Sequence, residues 1–308
     1  MRGMVTRAVL LAEGWTDVSI RKAIGGKELR RLWPGVYTDQ PRGKPWDEYR
    51  LTVLAAGLVG GHGVTSHQSA GAIHRLAMLD PDCARVHTTV SAKHGGGLVS
   101  ANRHVHPRLL RPEDSVVIDG LIVTSRTRTV IDIALSGTFE QAAVVVNGAR
   151  RRYRYPTAST PVPIPVAELH AALDFLSGAA RSAIARRAIV ESSELCESPG
   201  ETLSLLRMRQ WRLPEPQQQR AFRINGRTYY VDFLWGTLVG EFDGDDKYDS
   251  DAARRRYEKR RDGDFATIGY TVCHWSWEDL QDRPRFFRIL TNALVRSGQL
   301  SYVPAFAG

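Results

Sequence analysis

Apolar and polar positions change period every few residues along the start of the chain. Residues 5–12 suit a short helix that Gly14-Trp15 closes. Thr16-Asp17 offers caps to a second helix over 17–24, whose Ile20 and Ile24 lie four apart on one face. Gly25-Gly26 ends it. Residues 29–32 and 35–37 read as two short strands around Pro34-Gly35. Helix, turn, helix and a two-stranded ribbon make the outline of a winged helix-turn-helix over residues 1–42.

A Pro/Gly-rich joint follows at 41–45, then a helix over 46–58 and a second one, capped by Thr65-Ser66, over 67–76. Short β-rich runs occupy 86–90, 103–105, 116–118 and 121–123, and helices are expected from Thr127 or Thr129 to 135 and over 140–147. Together they predict a small α/β middle region, 46–150. Residues 151–192 read as linker and helices: the basic run Arg150-Arg151-Arg152-Tyr153-Arg154, a Pro/Ser/Thr stretch, then helices over 166–175 and 180–190.

In the last third the period switches from helix to strand. Ser198-Pro199-Gly200-Glu201 opens a helix to about Trp211, with Pro199 suited to its first turn. Residues 217–224 and 229–234 alternate as strands about the two-residue turn Asn225-Gly226, and 238–243 makes a third strand. A helix over 251–264, a strand over 272–277 and a further helix started by Glu278-Asp279 complete an α/β domain with a mixed sheet over 193–290, leaving 291–308 as a tail. The fold class expected is therefore α/β multidomain.

Charge separates these parts. Residues 1–192 hold 25 Lys and Arg against 16 Asp and Glu, whereas residues 193–308 hold 17 of each, so the net +9 lies wholly outside the C-terminal domain. That asymmetry points to a polyanionic partner, DNA before RNA. Arg21, Lys22, Lys27, Arg30 and Arg31 crowd the second helix and first wing strand, where phosphates would be met. No apolar run long enough for a bilayer appears, and the N-terminus lacks the pattern of a secretory signal, so the expectation is a cytoplasmic protein, nucleoid-associated if it binds DNA. Cys83, Cys196 and Cys273 show neither metal spacing nor a disulfide framework. His67 and His74, seven apart with no further ligand at zinc spacing, are not expected to bind zinc.

The chemistry is expected among carboxylates. Asp232 falls within the second C-terminal strand, and Glu241 and Asp243 share one face of the third. Acids inside apolar strands are costly unless compensated, and a hard divalent cation, Mg2+ or Mn2+, would compensate them. Glu201 would join from the preceding helix, and Gln218 on the first strand would face the cleft and orient water or phosphate. Arg256 and Arg260, four apart on the 251–264 helix, would grip a phosphate backbone.

The motifs Ser198-Pro199-Gly200-Glu201, Tyr230-Val231-Asp232-Phe233, Val239-Gly240-Glu241-Phe242-Asp243-Gly244 and Trp275-Ser276-Trp277-Glu278-Asp279-Leu280 occur in that order. In this the last domain resembles the DUF559 group of very-short-patch-repair-like endonuclease domains in the PD-(D/E)xK nuclease superfamily. The first two thirds resembles proteins whose N-terminal region is like the AbiEi antitoxin. It does so through Leu32-Trp33-Pro34-Gly35-Val36-Tyr37, Thr65-Ser66-His67-Gln68-Ser69-Ala70 and Thr124-Ser125-Arg126-Thr127-Arg128-Thr129-Val130-Ile131-Asp132. The resemblance implies a restriction-endonuclease-like fold with Glu201 as helix acid, Asp232 as central metal ligand and Glu241 as second carboxylate.

The lysine of that superfamily falls at Asp243, which could instead bind a second metal, with Lys247 as a migrated substitute. Three readings stay open: a metal-dependent endonuclease; a catalytically inactive, antitoxin-like transcriptional regulator that binds DNA and a toxin or other protein; and a scaffold or protein-interaction role. A palindromic DNA site would make the chain a homodimer by symmetry.

Overall fold

The computed structural model describes residues 3–60, 63–91, 97–176, 178–244 and 252–306, of which 252–255 by their backbone only. Two compact units emerge: Met1–Arg150 with Val162–Ser192, and Arg151–Pro161 with Ser193–Gly308. Residues 151–192 thus divide between them. The architecture is multidomain α/β, with a helix-turn-helix-like N-terminal region, a mixed β region and a C-terminal mixed-sheet domain.

The N-terminal region runs β1 (Val5–Thr6), α1 (Arg7–Ala12), α2 (Asp17–Gly25), β2 (Arg30–Trp33) and β3 (Val36–Thr38). Thr16 caps α2 in a reciprocal box with Ser19. Val5 and Thr6 are strand rather than the first turn of a helix, pairing with Tyr37 and Val36 and giving the sheet order β1-β3-β2. Thr6 is extended so that its hydroxyl can cap α1 through Val9 N–H. Leu10, Ile20 and Tyr37 form the small core, onto which Trp15 and Ile24 pack.

The same unit continues through α3 (Pro45–Leu58), β4 (Val64–Thr65), α4 (His67–Ile73), β5 (Val86–Val90), β6 (Leu98–Val99) and β7 (Arg103–Pro107). After a 3-10 turn at Pro112–Asp114 come β8 (Ser115–Ile118), β9 (Leu121–Thr124), α5 (Arg126–Ser136), α6 (Phe139–Arg150), α7 (Val166–Phe175) and α8 (Ser182–Val190). Its six strands lie in the order β6-β7-β5-β4-β9-β8. Trp33 and Val36 of the N-terminal region share one core with Tyr49, Val53, Ile73 and Val123, so no gap in packing falls at the 41–45 joint.

The second unit holds α9 (Pro199–Gln210), β10 (Gln217–Ile224), β11 (Arg227–Trp235), β12 (Leu238–Asp243), α10 (Ala252–Thr267), β13 (Thr271–Ser276), α11 (Trp277–Gln281) and α12 (Arg283–Arg296). Its sheet is β10-β11-β12-β13, antiparallel except for the parallel β12–β13 pair, between which α10 is the crossover. Asn225 and Gly226 both have positive φ, 49° and 76°, as the tight hairpin turn requires. Helix α12 runs past residue 290, capped by Asp282 and burying Phe286, Phe287, Leu290 and Leu294. Among the described residues no helix is long and apolar enough to cross a membrane.

Candidate functional site

In the second unit, three elements deliver carboxylates to one open cleft. Ser198 caps α9, its hydroxyl accepting from Glu201 N–H at 3.1 Å. Gly200 lets the helix start press against β12, since a Cβ there would stand 2.0 Å from the Phe242 ring. Asp232 lies on β11 between the fully buried Val231 and Phe233 and so faces the other side of the sheet. Glu241, on β12, is 5% exposed, as is Glu201. Glu201, Asp232, Glu241 and Asp243 line the cleft together with Arg261 and His274.

Hydrogen bonds hold these groups in place. Asp232 Oδ2 accepts Phe242 N–H at 3.0 Å, and Glu201 Oε2 accepts Glu197 N–H at 2.8 Å. Gln219 Nε2 donates to both Glu201 Oε2 and Asp232 Oδ1, each at 3.3 Å. Its amide is fixed from behind by Arg154, which donates to Gln219 Oε1 at 2.6 Å and stacks 3.5 Å over the Tyr230 ring. Arg261 donates to Glu241 Oε1 at 2.5 Å and to Tyr230 O at 2.7 Å. His274 bridges Asp243 Oδ2 at 3.1 Å and Asp262 Oδ1 at 3.2 Å.

The electrostatics follow from burial. Desolvation, then the charge of Asp232, pushes Glu241 up to about 8, against the pull of Arg261. The same two causes raise Glu201, and burial raises Asp232. His274 moves the other way on the scale of charge: its bond to Asp243 raises it to about 9, so it is a cation at neutral pH. The cleft is a set of under-compensated acids with two cationic neighbours.

The expected site residues are not all brought together. Gln218 bonds Ser193 Oγ and Cys196 Sγ instead of facing the acids. The amide that does face them is the next one, because Gln219 lies opposite Asp232 across the β10–β11 ladder. Lys247 lies outside the described residues. Arg256 and Arg260 are exposed on α10, while Arg261 beside them turns to Glu241. Arg151 and Arg154 of the basic run pair with Glu197.

In the helix-turn-helix-like region Arg21, Lys22, Lys27 and Arg31 are exposed. Arg30 is engaged within the fold: it pairs with Glu48 at 2.5 Å and donates to the carbonyls of Gln40 and Pro41. Its guanidinium ties β2 to α3.

A second polar cluster lies in the first unit. His87, His104 and His106 each offer a ring nitrogen within 4.8 Å of the other two, a placement able to hold a metal ion. Among the described residues no other group of three or more His, Cys, Asp or Glu meets that spacing, so the carboxylates of the cleft stand wider apart. His104 and His106 stand two apart in the sequence, and the pairing of β5 with β7 brings His87 to them. His74, by contrast, bonds the Thr124 carbonyl at 2.7 Å.

No protein-family model matches the chain, and no curated protein proves similar to it.

Proposed function

We propose that the chain is a DNA-binding protein whose C-terminal unit hydrolyses phosphodiester bonds with Mg2+ or Mn2+, a nuclease-like domain of the PD-(D/E)xK kind beside a winged helix-turn-helix. One observation carries this reading: buried Glu201 from α9 and Glu241 from β12 meet half-buried Asp232 from β11 at an open cleft, where desolvation and mutual repulsion leave their charge under-compensated. An all-oxygen donor set of this kind fits a hard divalent cation, which needs only one or two carboxylates and keeps several waters.

Asp232 and Glu241 would hold the ion, with Glu201 beside them. A bound ion supplies an activated water and stabilises charge developing on the phosphodiester. The chain's own groups do the rest. Phe242 N–H and the Gln219 amide fix the orientation of Asp232. Arg261 places a guanidinium at the cleft wall, where an anionic backbone would meet it. Protonated His274 holds Asp243 toward the cleft from the neighbouring strand. In the first unit Arg21, Lys22, Lys27 and Arg31 supply exposed positive charge for duplex phosphates.

A second reading, an inactive antitoxin-like regulator, draws on the Arg261–Glu241 ion pair and on Asp243 at the place of the superfamily lysine. In that reading the guanidinium compensates the acids permanently. Cleavage of supercoiled and linear DNA with Mg2+ or Mn2+, measured beside an Asp232→Ala, Glu241→Ala double variant, separates the two. Metal-dependent cleavage that disappears in the variant supports the nuclease; binding that persists without any cleavage supports the regulator.

A further inference from the structure

We infer that His87, His104 and His106 form a site for one late first-row transition-metal ion of the Zn2+ class, separate in ligand chemistry from the carboxylate cleft. Parallel pairing of β5 with β7 sets His87 beside His104 in register, and His106 follows two residues on, on the same face of β7. Their ligand atoms lie within 4.8 Å of one another. His87 Nδ1 and His106 Nε2 stand 3.1 Å apart. That contact is a hydrogen bond between the two rings, and its length is close to the separation of about 3.3 Å between two nitrogens bound tetrahedrally to one ion at about 2.0–2.1 Å. His104 is partly exposed, and its ring stacks on His106 at 3.8 Å between centroids.

The surroundings agree with a nitrogen site. His87 is 3% exposed, and its Nε2 stands 3.7 Å from Asp82 Oδ2. Ligating histidines usually direct the second ring nitrogen at such a carboxylate, which fixes the tautomer. The His67 ring stacks on His106 at 3.6 Å between centroids and supports that ring from one side. Imidazole donors select Zn2+, Co2+, Ni2+ or Cu2+ over Mg2+. With His104 and His106 partly exposed, a fourth position remains for water or a ligand atom.

The test uses the full-length protein stripped with chelator and titrated with Co2+, Zn2+ and, separately, Mg2+. One equivalent of Co2+ should give the ligand-field absorption of a low-coordinate nitrogen site, displaced by Zn2+ and untouched by Mg2+. His104→Ala, chosen because its ring is partly exposed, should keep the far-ultraviolet dichroism of the parent. Its Co2+ affinity should fall by more than the roughly 10–100-fold that loss of an outer-shell partner costs. The Asp232→Ala, Glu241→Ala variant should keep the Co2+ spectrum, so this outcome is independent of whether the cleft cuts DNA. Absence of Co2+ and Zn2+ uptake by the parent, unchanged affinity in a folded His104→Ala, or loss of the spectrum in the carboxylate variant would each overturn the assignment.

Discussion

Gln219 faces Asp232 across the first hairpin of the C-terminal sheet, bracketed by the pairs Gln218–Phe233 and Arg220–Val231, and its amide joins Asp232 to Glu201. Gln219 does so at a φ of 53°, in the left-handed region that a side-chain-bearing residue seldom occupies. Glycine takes that backbone at no steric cost. Gln219→Gly should therefore keep or raise the Tm while lowering apparent Mn2+ affinity by roughly 10–100-fold. Arg154→Met, which frees the amide to flip, should weaken binding by a similar factor, and the double variant little more, because both act through one amide. Calorimetric Mn2+ titration and thermal unfolding check both parts. Equal loss of stability and affinity would count against a positioning role.

The acids make stability depend on pH in a defined direction. Glu241 is raised from its usual 4.5 to about 8, so its carboxyl favours folding below about 4.5 and loses that advantage as pH rises toward 8. His87, lowered to about 4 by burial, acts oppositely below its unfolded value of 6.5. The Glu241→Gln variant isolates the first effect: its Tm, relative to the parent, should climb between pH 5 and about 8. Added Mg2+ or Mn2+ competes with the proton, so it should stabilise the parent most near pH 8 and hardly at all near pH 5. A metal-induced Tm shift that does not grow with pH would remove the cation from these carboxylates.

Legibility in the sequence follows the range of the interaction. Residues 166–175, 217–224 and 238–243 have the bounds expected of them because alternation or helical period, with a turn at each end, is local information. Two-residue strands such as β1, β4 and β6 carry no period, and only their partners define them. Helix α12 is hidden behind Pro284, which suits a first helical turn as well as a break. Glu201, Asp232 and Glu241 stand out as acids in apolar segments. Gln219 is legible too: a two-residue loop at Asn225-Gly226 pairs Ile224 with Arg227, and counting back sets position 219 opposite Asp232. Arg154, Arg261 and His274 reach the site from other elements, and no local pattern announces them. The His-x-His of 104–106 is visible in the sequence, but its third member requires the β5–β7 pairing.

The basic residues of the first unit should separate into two kinds. Alanine at the exposed Arg21, Lys22, Lys27 or Arg31 should weaken DNA binding for all sequences alike and reduce the slope of log affinity against log salt by about 1 for each phosphate no longer neutralised. The Tm should be unchanged, since these side chains are exposed. Arg30→Ala should instead lower the Tm, because Glu48 is left without its guanidinium partner where β2 meets α3. Its salt slope should match the parent. Fluorescence anisotropy on duplex DNA at several salt concentrations, beside thermal scans, distinguishes them; a Tm-neutral Arg30→Ala with a shallower slope would place Arg30 in the phosphate-facing set.

The placement of Glu201 depends on the absence of a side chain one residue earlier. A Cβ on Gly200 would meet Phe242 Cε1 at 2.0 Å and Cζ at 2.1 Å, and Phe242 in turn packs edge-on against Trp277 at 5.2 Å, which restricts its retreat. Phe242 is also the residue whose N–H orients Asp232. Gly200→Ala must therefore move the start of α9 away from β12 or displace Phe242, and either shift disturbs the carboxylates from two elements at once. Such overpacking costs about 1–3 kcal/mol. A shift of about 1 Å at a catalytic constellation costs about 100-fold in rate. The expectation is a protein that folds with a moderately lower Tm and loses both Mn2+ affinity and any metal-dependent cleavage. Gly263→Ala on α10, where a Cβ meets nothing within 4 Å, is the control that should leave the Mn2+ isotherm unchanged. Parent-like Mn2+ binding by Gly200→Ala would show that the α9–β12 approach does not position Glu201.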